Sequence, residues 1–245
     1  MSLQVLVSGA SGAVGRCLLE VIESDDRLAL AGEASRRRFF EPDVDADVII
    51  DFSHTELLER VAHFAARRRI PLVTGTTDVG EAVQGLLSEA SGQVAICQAA
   101  NFSIGVNLLV RLAAQAGQAL GADFDVEILE AHHRRKIDAP SGTALWLGEA
   151  VARSRGHSLE ERAVYDRTGR RRARAAGEIG IQAIRGGDVA GEHTVYFLAD
   201  GERLELSHRS SDRRVFARGA LLAARRIVDR RPGLIEFSEL VLGSA

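Results

Sequence analysis

The first hundred residues alternate short apolar runs with longer stretches whose apolar positions recur at helical spacing. The runs are Val5–Ser8, Leu28–Gly32, Val48–Phe52, Leu72–Thr74 and Val94–Gln98, with helical patterns between them at about Val14–Glu23, Glu56–Arg68 and Glu81–Ala90. Continuous apolar strands separated by helices predict βαβ units and a parallel sheet. The texture changes after Gln98–Ser103. A longer helix is predicted over Gly105–Leu120. Then Phe124–Glu130, Ile179–Arg185, His193–Ala199 and Arg203–Ser207 alternate apolar with polar positions, the pattern of a sheet with one buried face. A helix over Thr143–Ser154 and an open loop, Gly156–Gly177, lie between the first two of these strands. A last helix, about Val215–Asp229, could return to the first domain. The pattern is that of an α/β chain with a second, α+β domain in its middle.

Composition narrows the function classes. A length of 245 residues suits two cores. The net charge of −3 gives no field for a nucleic-acid partner. No apolar run is long enough to span a bilayer, and the chain runs at once into the strand-like Leu3–Val7. The expectation is a cytoplasmic protein with no membrane and no nucleic-acid partner. Cys17 and Cys97 sit in apolar stretches and read as small buried thiols rather than a disulfide. Arg167–Arg174, a basic run without interleaved aromatics, reads as a solvated loop, with subunit contact or anion binding as alternatives. Arg67–Arg69 suits a helix C-terminus. Of 31 cationic residues one alone is lysine, Lys136, which is either held by its chemistry or left on a surface.

Two regions carry candidate chemistry. The first predicted strand leads into Gly9-Ala10-Ser11-Gly12-Ala13-Val14-Gly15 and then a helix. Glycines there permit a tight turn and close approach of a pyrophosphate, which the helix N-terminus would bind. After the second strand, Glu33 could serve the ribose of NAD, whereas Ser35 with Arg36 and Arg37 could hold the 2′-phosphate of NADP; a solvated charge run is the competing reading. NADPH is favoured, with NADH possible. Two further strand-end loops, Gly75-Thr76-Thr77 and Ala99-Ala100-Asn101-Phe102, could hold the nicotinamide ribose or carboxamide, or simply cap helices. Asp51, Ser53 and His54 also fall at a strand end.

The densest segment runs from Glu130 to Ala144 and reads E-A-H-H-R-R-K-I-D-A-P-S-G-T-A. Pro140 and the Ser-Gly-Thr run suit a turn that opens a helix, whose amides at Gly142 and Thr143 would make an anion site. With His133 and Lys136 this gives a pocket for carboxylates and leaves His132 as a general acid. Histidines satisfied in a core are the bland alternative. No metal site is expected, because adjacent histidines rarely face one ion and nothing completes a ligand set.

These residues resemble the dihydrodipicolinate reductase (4-hydroxy-tetrahydrodipicolinate reductase) family of the diaminopimelate and lysine pathway. The motif Glu130–Ala144 carries the resemblance, supported by the glycine turn, Asp51-Phe52-Ser53, Gly191-Glu192-His193-Thr194 and Phe216-Ala217-Arg218-Gly219-Ala220. It implies a Rossmann-like dinucleotide-binding domain, residues 1–103 and 213–245, and a substrate-binding and oligomerisation domain on a mixed sheet, residues 104–212. It implies a homotetramer acting on a small dicarboxylate, with His132 and Lys136 catalytic, and His133, Ser141, Gly142 and Thr143 binding substrate. Cofactor would touch Gly9–Val14, Gly75–Thr77 and Ala99–Phe102. Two departures stand out: Ser35-Arg36 replaces the acidic residue and arginine of many members, and the link Arg37–Asp47 is short where many carry an insertion.

Overall fold

The computed structural model describes residues 2–243. They form two compact units, one made of the residues up to Ile104 together with those from Arg213 onward, the other of Gly105–Asp212.

The first unit is a six-stranded, all-parallel sheet with the order β11-β5-β4-β3-β1-β2. Its strands are β1 (Leu3–Ser8), β2 (Leu28–Ala34), β3 (Val48–Asp51), β4 (Leu72–Thr74), β5 (Ala95–Gln98) and β11 (Gly233–Leu234). Its helices are α1 (Ala13–Glu23), α2 (Thr55–Arg68), α3 (Glu81–Ser91), α7 (Arg214–Ile227) and α8 (Phe237–Leu242). The strands are apolar throughout because both faces are covered. Successive residues divide between two cores. Val5, Val7, Ile50, Val73 and Cys97 join Leu18 and Ile22 of α1 and the alanine-rich face of α7. Leu6, Ile49, Leu72 and Ile96 join Leu57, Leu58 and Val61 of α2 and Leu87 of α3. Each such aliphatic side chain contributes about 1.5–3 kcal/mol by leaving water. Burial also pushes the Cys97 thiol up to about 12, so it stays protonated and inert; both cysteines are free.

Strand order reverses between β1 and β3, so a crevice opens beyond their C-terminal ends, where open α/β sheets bind ligands. Arg69, in the left-handed conformation, ends α2.

The second unit is a five-stranded mixed sheet, β10-β9-β6-β8-β7. It comprises β6 (Asp125–His132), β7 (Ala163–Val164), β8 (Ile179–Arg185), β9 (Gly191–Ala199) and β10 (Glu202–Ser210), with α4 (Ile104–Leu120, whose first residue belongs to the other unit), α5 (Gly142–Ser154) and α6 (Leu159–Arg162). Val126 and Ile128, Ile179 and Ile181, and Val195 and Phe197 form one core with Val106, Leu109 and Val110 of α4 and Leu147 and Val151 of α5.

Two expectations need correction. The stretch Gly156–Gly177 is not an open loop. Ser158 and Glu161 form a reciprocal capping box that starts α6, and β7 follows to pair with β8. The basic run is not wholly solvated either. Arg167 forks onto Glu127 at 3.1 and 2.7 Å, and Arg174 reaches Glu127 and Asp125 at 3.2 and 2.5 Å, so these two guanidiniums tie the run to β6. Finally, β11 and α8 were not anticipated.

Candidate functional site

In the first unit the turn after β1 is built by main-chain shape. Gly9 has φ +79°, and a Cβ there would overlap the Phe52 carbonyl. A Cβ on Gly15 would overlap the Gly9 carbonyl. The amide of Gly12 donates to the Gly9 carbonyl at 2.8 Å, and α1 begins with no side-chain cap on its first amides. Beside the turn lies a cleft of about 550 Å³ lined by residues that include Gly9, Ser11, Gly12, Ser35, Arg36 and Arg37. A glycine cradle that any side chain would fill, next to a helix N-terminus and two exposed arginines, fits a dinucleotide's phosphates. Glu33 lies within β2 and lines a different surface with Leu19, Ile22 and Leu28.

The neighbouring strand ends are braced by one carboxylate. Fully buried Asp51 accepts from the hydroxyls of Thr74, Thr76 and Ser53 at 2.9, 2.6 and 2.5 Å, and the Thr76 oxygen also accepts the Ser53 amide at 3.0 Å. The Thr76 hydroxyl is thus engaged inside the protein, whereas Thr77 is exposed. Asn101 accepts the Ser103 amide at 2.8 Å, while Ala100 is exposed. Phe102 is buried between Phe52 and Phe237, with centroids 5.4 and 4.8 Å away. It anchors its loop by packing.

In the second unit the site is the polar end of the sheet's buried face. Side chains alternate along a strand, so Val126, Ile128, Glu130 and His132 share one face of β6. The face is aliphatic for two positions and ionisable for the next two. His193 of β9 is registered opposite Glu130, and Arg185 of β8 opposite His132. Glu130 is fully buried and both its oxygens are engaged. Oε2 receives His132 Nδ1 at 2.6 Å and Arg185 Nη1 at 2.7 Å, and Oε1 receives the Ser141 amide at 3.0 Å and Arg185 Nη2 at 2.7 Å. Burial alone would raise its pKa. The Arg185 fork, His132 and the Ser141 amide outweigh that and hold the carboxyl below its usual range.

Ser141 caps α5 by accepting the Ala144 amide at 3.2 Å, and its hydroxyl also meets His193 Nε2 at 3.1 Å. This leaves exposed Gly142 and half-buried Thr143 as the first two residues at the positive end of α5. The rings of His132 and His193 meet edge to face, centroids 5.1 Å apart. Burial first, then the positive neighbour His132, pushes His193 down to about 4. His132 is also lowered, by burial foremost, with Glu130 pulling back and Lys136 and Arg185 adding to the fall. Lys136 pairs with exposed Asp138 at 2.8 Å. The Nδ1 of His133 is buried with no hydrogen-bond partner among the described residues.

The structure therefore brings His132, Ser141, Gly142 and Thr143 together around Glu130 and places Lys136 in the same loop. Glu130 and His193 fall within sequence motifs that assign them no role, and no motif points to Arg185. Only sheet register brings His193 opposite Glu130 and Arg185 opposite His132, residues far apart in the chain. The one local signal was Glu130 two places before His132, on the same strand face.

A parallel-sheet dinucleotide unit joined to a mixed-sheet unit with a buried acid–histidine cluster defines the class of two-domain α/β oxidoreductases. Family models described as "Dihydrodipicolinate reductase, N-terminus" and "Dihydrodipicolinate reductase, C-terminus" match residues 3–102 and 105–241. The 4-hydroxy-tetrahydrodipicolinate reductases of Psychrobacter arcticus and Halorhodospira halophila are each 43% identical to it, covering 98% of this chain and 95% and 99% of theirs. A dipicolinate-bound dihydrodipicolinate reductase from Paenisporosarcina sp. TG-14 shares the fold, with a TM-score of 0.79 at 21% identity over 98% of this chain and 99% of that one. The chain belongs to the dihydrodipicolinate reductase family, whose members are NAD(P)H-dependent oxidoreductases of lysine biosynthesis.

Proposed function

We propose that this chain reduces dehydrated 4-hydroxy-tetrahydrodipicolinate to tetrahydrodipicolinate with NADPH as the preferred cofactor, and that His132 and Lys136 are its catalytic residues. The observation that carries this reading is the clustering of His132 and the Ser141–Thr143 turn about one buried carboxylate, inside the stretch that the family's C-terminal model matches.

The turn Gly9-Ala10-Ser11-Gly12-Ala13-Val14 would hold the pyrophosphate, Ser35 and Arg36 the 2′-phosphate, and Gly75–Thr77 with Ala99–Phe102 the nicotinamide end. The Ser35–Arg37 edge lines the cleft of the glycine turn and Glu33 does not, which supports NADPH over NADH. When bound, the cofactor supplies a hydride to C4 of the substrate's conjugated imine. The protein does the rest. The amides of Gly142 and Thr143, at the positive end of α5, suit one substrate carboxylate, and His133 contributes at the same place. Lys136 is held by an exposed aspartate, a pairing worth about 1 kcal/mol or less, so a dicarboxylate can take Asp138's place. His132 donates the proton that the resulting enamine needs at the carbon between C4 and the imine carbon, which balances the hydride. The same reading makes the enzyme a cytoplasmic homotetramer, as the family implies. No helix among the described residues is long and apolar enough to cross a membrane.

A coupled assay tests this. The substrate is generated in place by dihydrodipicolinate synthase from pyruvate and aspartate semialdehyde, and oxidation of NADPH and NADH is followed separately. Oxidation that requires the complete mixture, faster with NADPH, is the expected result. No oxidation with either cofactor by folded protein that binds one of them would overturn the substrate assignment.

A further inference from the structure

Glu130 spends all its acceptor capacity. A carboxylate offers about four lone-pair sites, and here four donors fill them: two guanidinium N–H groups, one main-chain amide and one imidazole nitrogen. An ionised carboxylate can only accept, so the proton between Glu130 and His132 sits on Nδ1. That leaves Nε2 as the atom of His132 available for exchange. Gly191 keeps space beside it, since a Cβ there would stand 3.1 Å from Nε2. The second oxygen of the same carboxylate holds the Ser141 amide, and with it the first turn of α5.

We propose that Glu130, held ionised by Arg185, is a positioning residue that fixes the Nδ1–H form of His132 and ties that imidazole to the anion-binding turn of α5. One buried carboxylate then sets the proton donor and the substrate's seat at a fixed separation. Arg185 completes the clamp by also bonding the Asp138 carbonyl at 2.6 Å, which steadies the loop that carries Lys136. This rests on the reductase reading for its consequence in turnover, but the hydrogen-bond assignment stands independently of any substrate.

The charged and titratable groups facing His132 are Glu130 on its own strand, Arg185 from β8, His193 from β9 and Lys136 from the loop. Glu130 is the one anion among them. Removing it withdraws the support it gives the imidazolium, so the alkaline limb of the turnover profile, where the acid loses its proton, must move to lower pH.

The first measurement uses the wild-type protein. Nitrogen-15 spectra of its histidines, read above the titration of His132, should show the Nδ1–H tautomer there; a dominant Nε2–H form would overturn the proposal. Turnover then separates positioning from bulk structure. In the coupled assay, Glu130→Gln should lower kcat on the order of 10²-fold with NADPH affinity unchanged and the alkaline limb displaced to lower pH. Should Glu130→Gln fail to fold because it leaves the half-buried Arg185 charge unpaired, Glu130→Gln/Arg185→Met removes both charges together and should stay as slow. Wild-type turnover and an unmoved pH profile in either folded variant would overturn the proposal. A wild-type protein that shows the Nδ1–H form but oxidises no NADPH would sink the reductase reading and leave the Glu130 assignment standing.

Discussion

On the proposed reading, the glycine turn of the first unit and the acid–histidine cluster of the second would recognise charge by opposite means. The turn uses main chain. Its specificity lies in side chains that are absent at Gly9 and Gly15, and in amides at the start of α1. The cluster uses side chains drawn from three strands and a helix start, and it must offset the burial of a carboxylate with four donors. The first arrangement depends on a local run of sequence. The second depends on register between strands far apart in the chain. A main-chain site should therefore fail by steric and conformational strain, and a side-chain site by altered protonation.

The largest expected effect tests the main-chain half. Gly9→Ala forces a side chain into positive φ and onto the Phe52 carbonyl, which should cost about 3–5 kcal/mol in urea unfolding and abolish NADPH binding. A variant with wild-type stability and affinity would remove the turn from the site. Next comes protonation in the second unit. His193 is held neutral with a pKa of about 4, below the 6.5 of a free imidazole. Between those values the unfolded chain binds a proton that the folded one refuses, so stability falls as pH drops from 6.5 towards 4. His193→Asn should lose this dependence, worth about 3 kcal/mol at full extent. Parallel stability profiles for variant and wild type would contradict the depressed value. The smallest effect sharpens the boundary between cofactors. Arg36→Ala should weaken NADPH about tenfold, or ~1.4 kcal/mol, and leave NADH unchanged. Equal losses for both would place Arg36 elsewhere than at the 2′-phosphate.

The same contrast explains what could be read from sequence. The parallel sheet was legible because both its faces are buried, so each strand is an apolar run of its own: Val5–Ser8, Val48–Phe52 and Leu72–Thr74 needed no partner to be recognised. The glycine turn was legible because its residues are consecutive. His132, Lys136 and Ser141–Thr143 were legible as one dense segment. Arg185 was not, because nothing near it in the chain reveals that its guanidinium reaches Glu130 from the neighbouring parallel strand. Arg167 and Arg174 looked like a solvated run for the same reason, since Glu127 and Asp125 on β6 lie 40–49 positions away. The short helix α6 could have been read from Ser158 and Glu161, whose spacing is that of a capping box. The two-residue β11 carries too little pattern to detect.

The division of labour between the two units is tested most directly by His132→Gln, measured twice. NADPH affinity is taken by fluorescence titration, and turnover in the coupled assay. Turnover lowered on the order of 10²-fold or more, with the dissociation constant for NADPH unchanged, is the result this account predicts. Wild-type turnover, or loss of NADPH binding together with turnover, would contradict it.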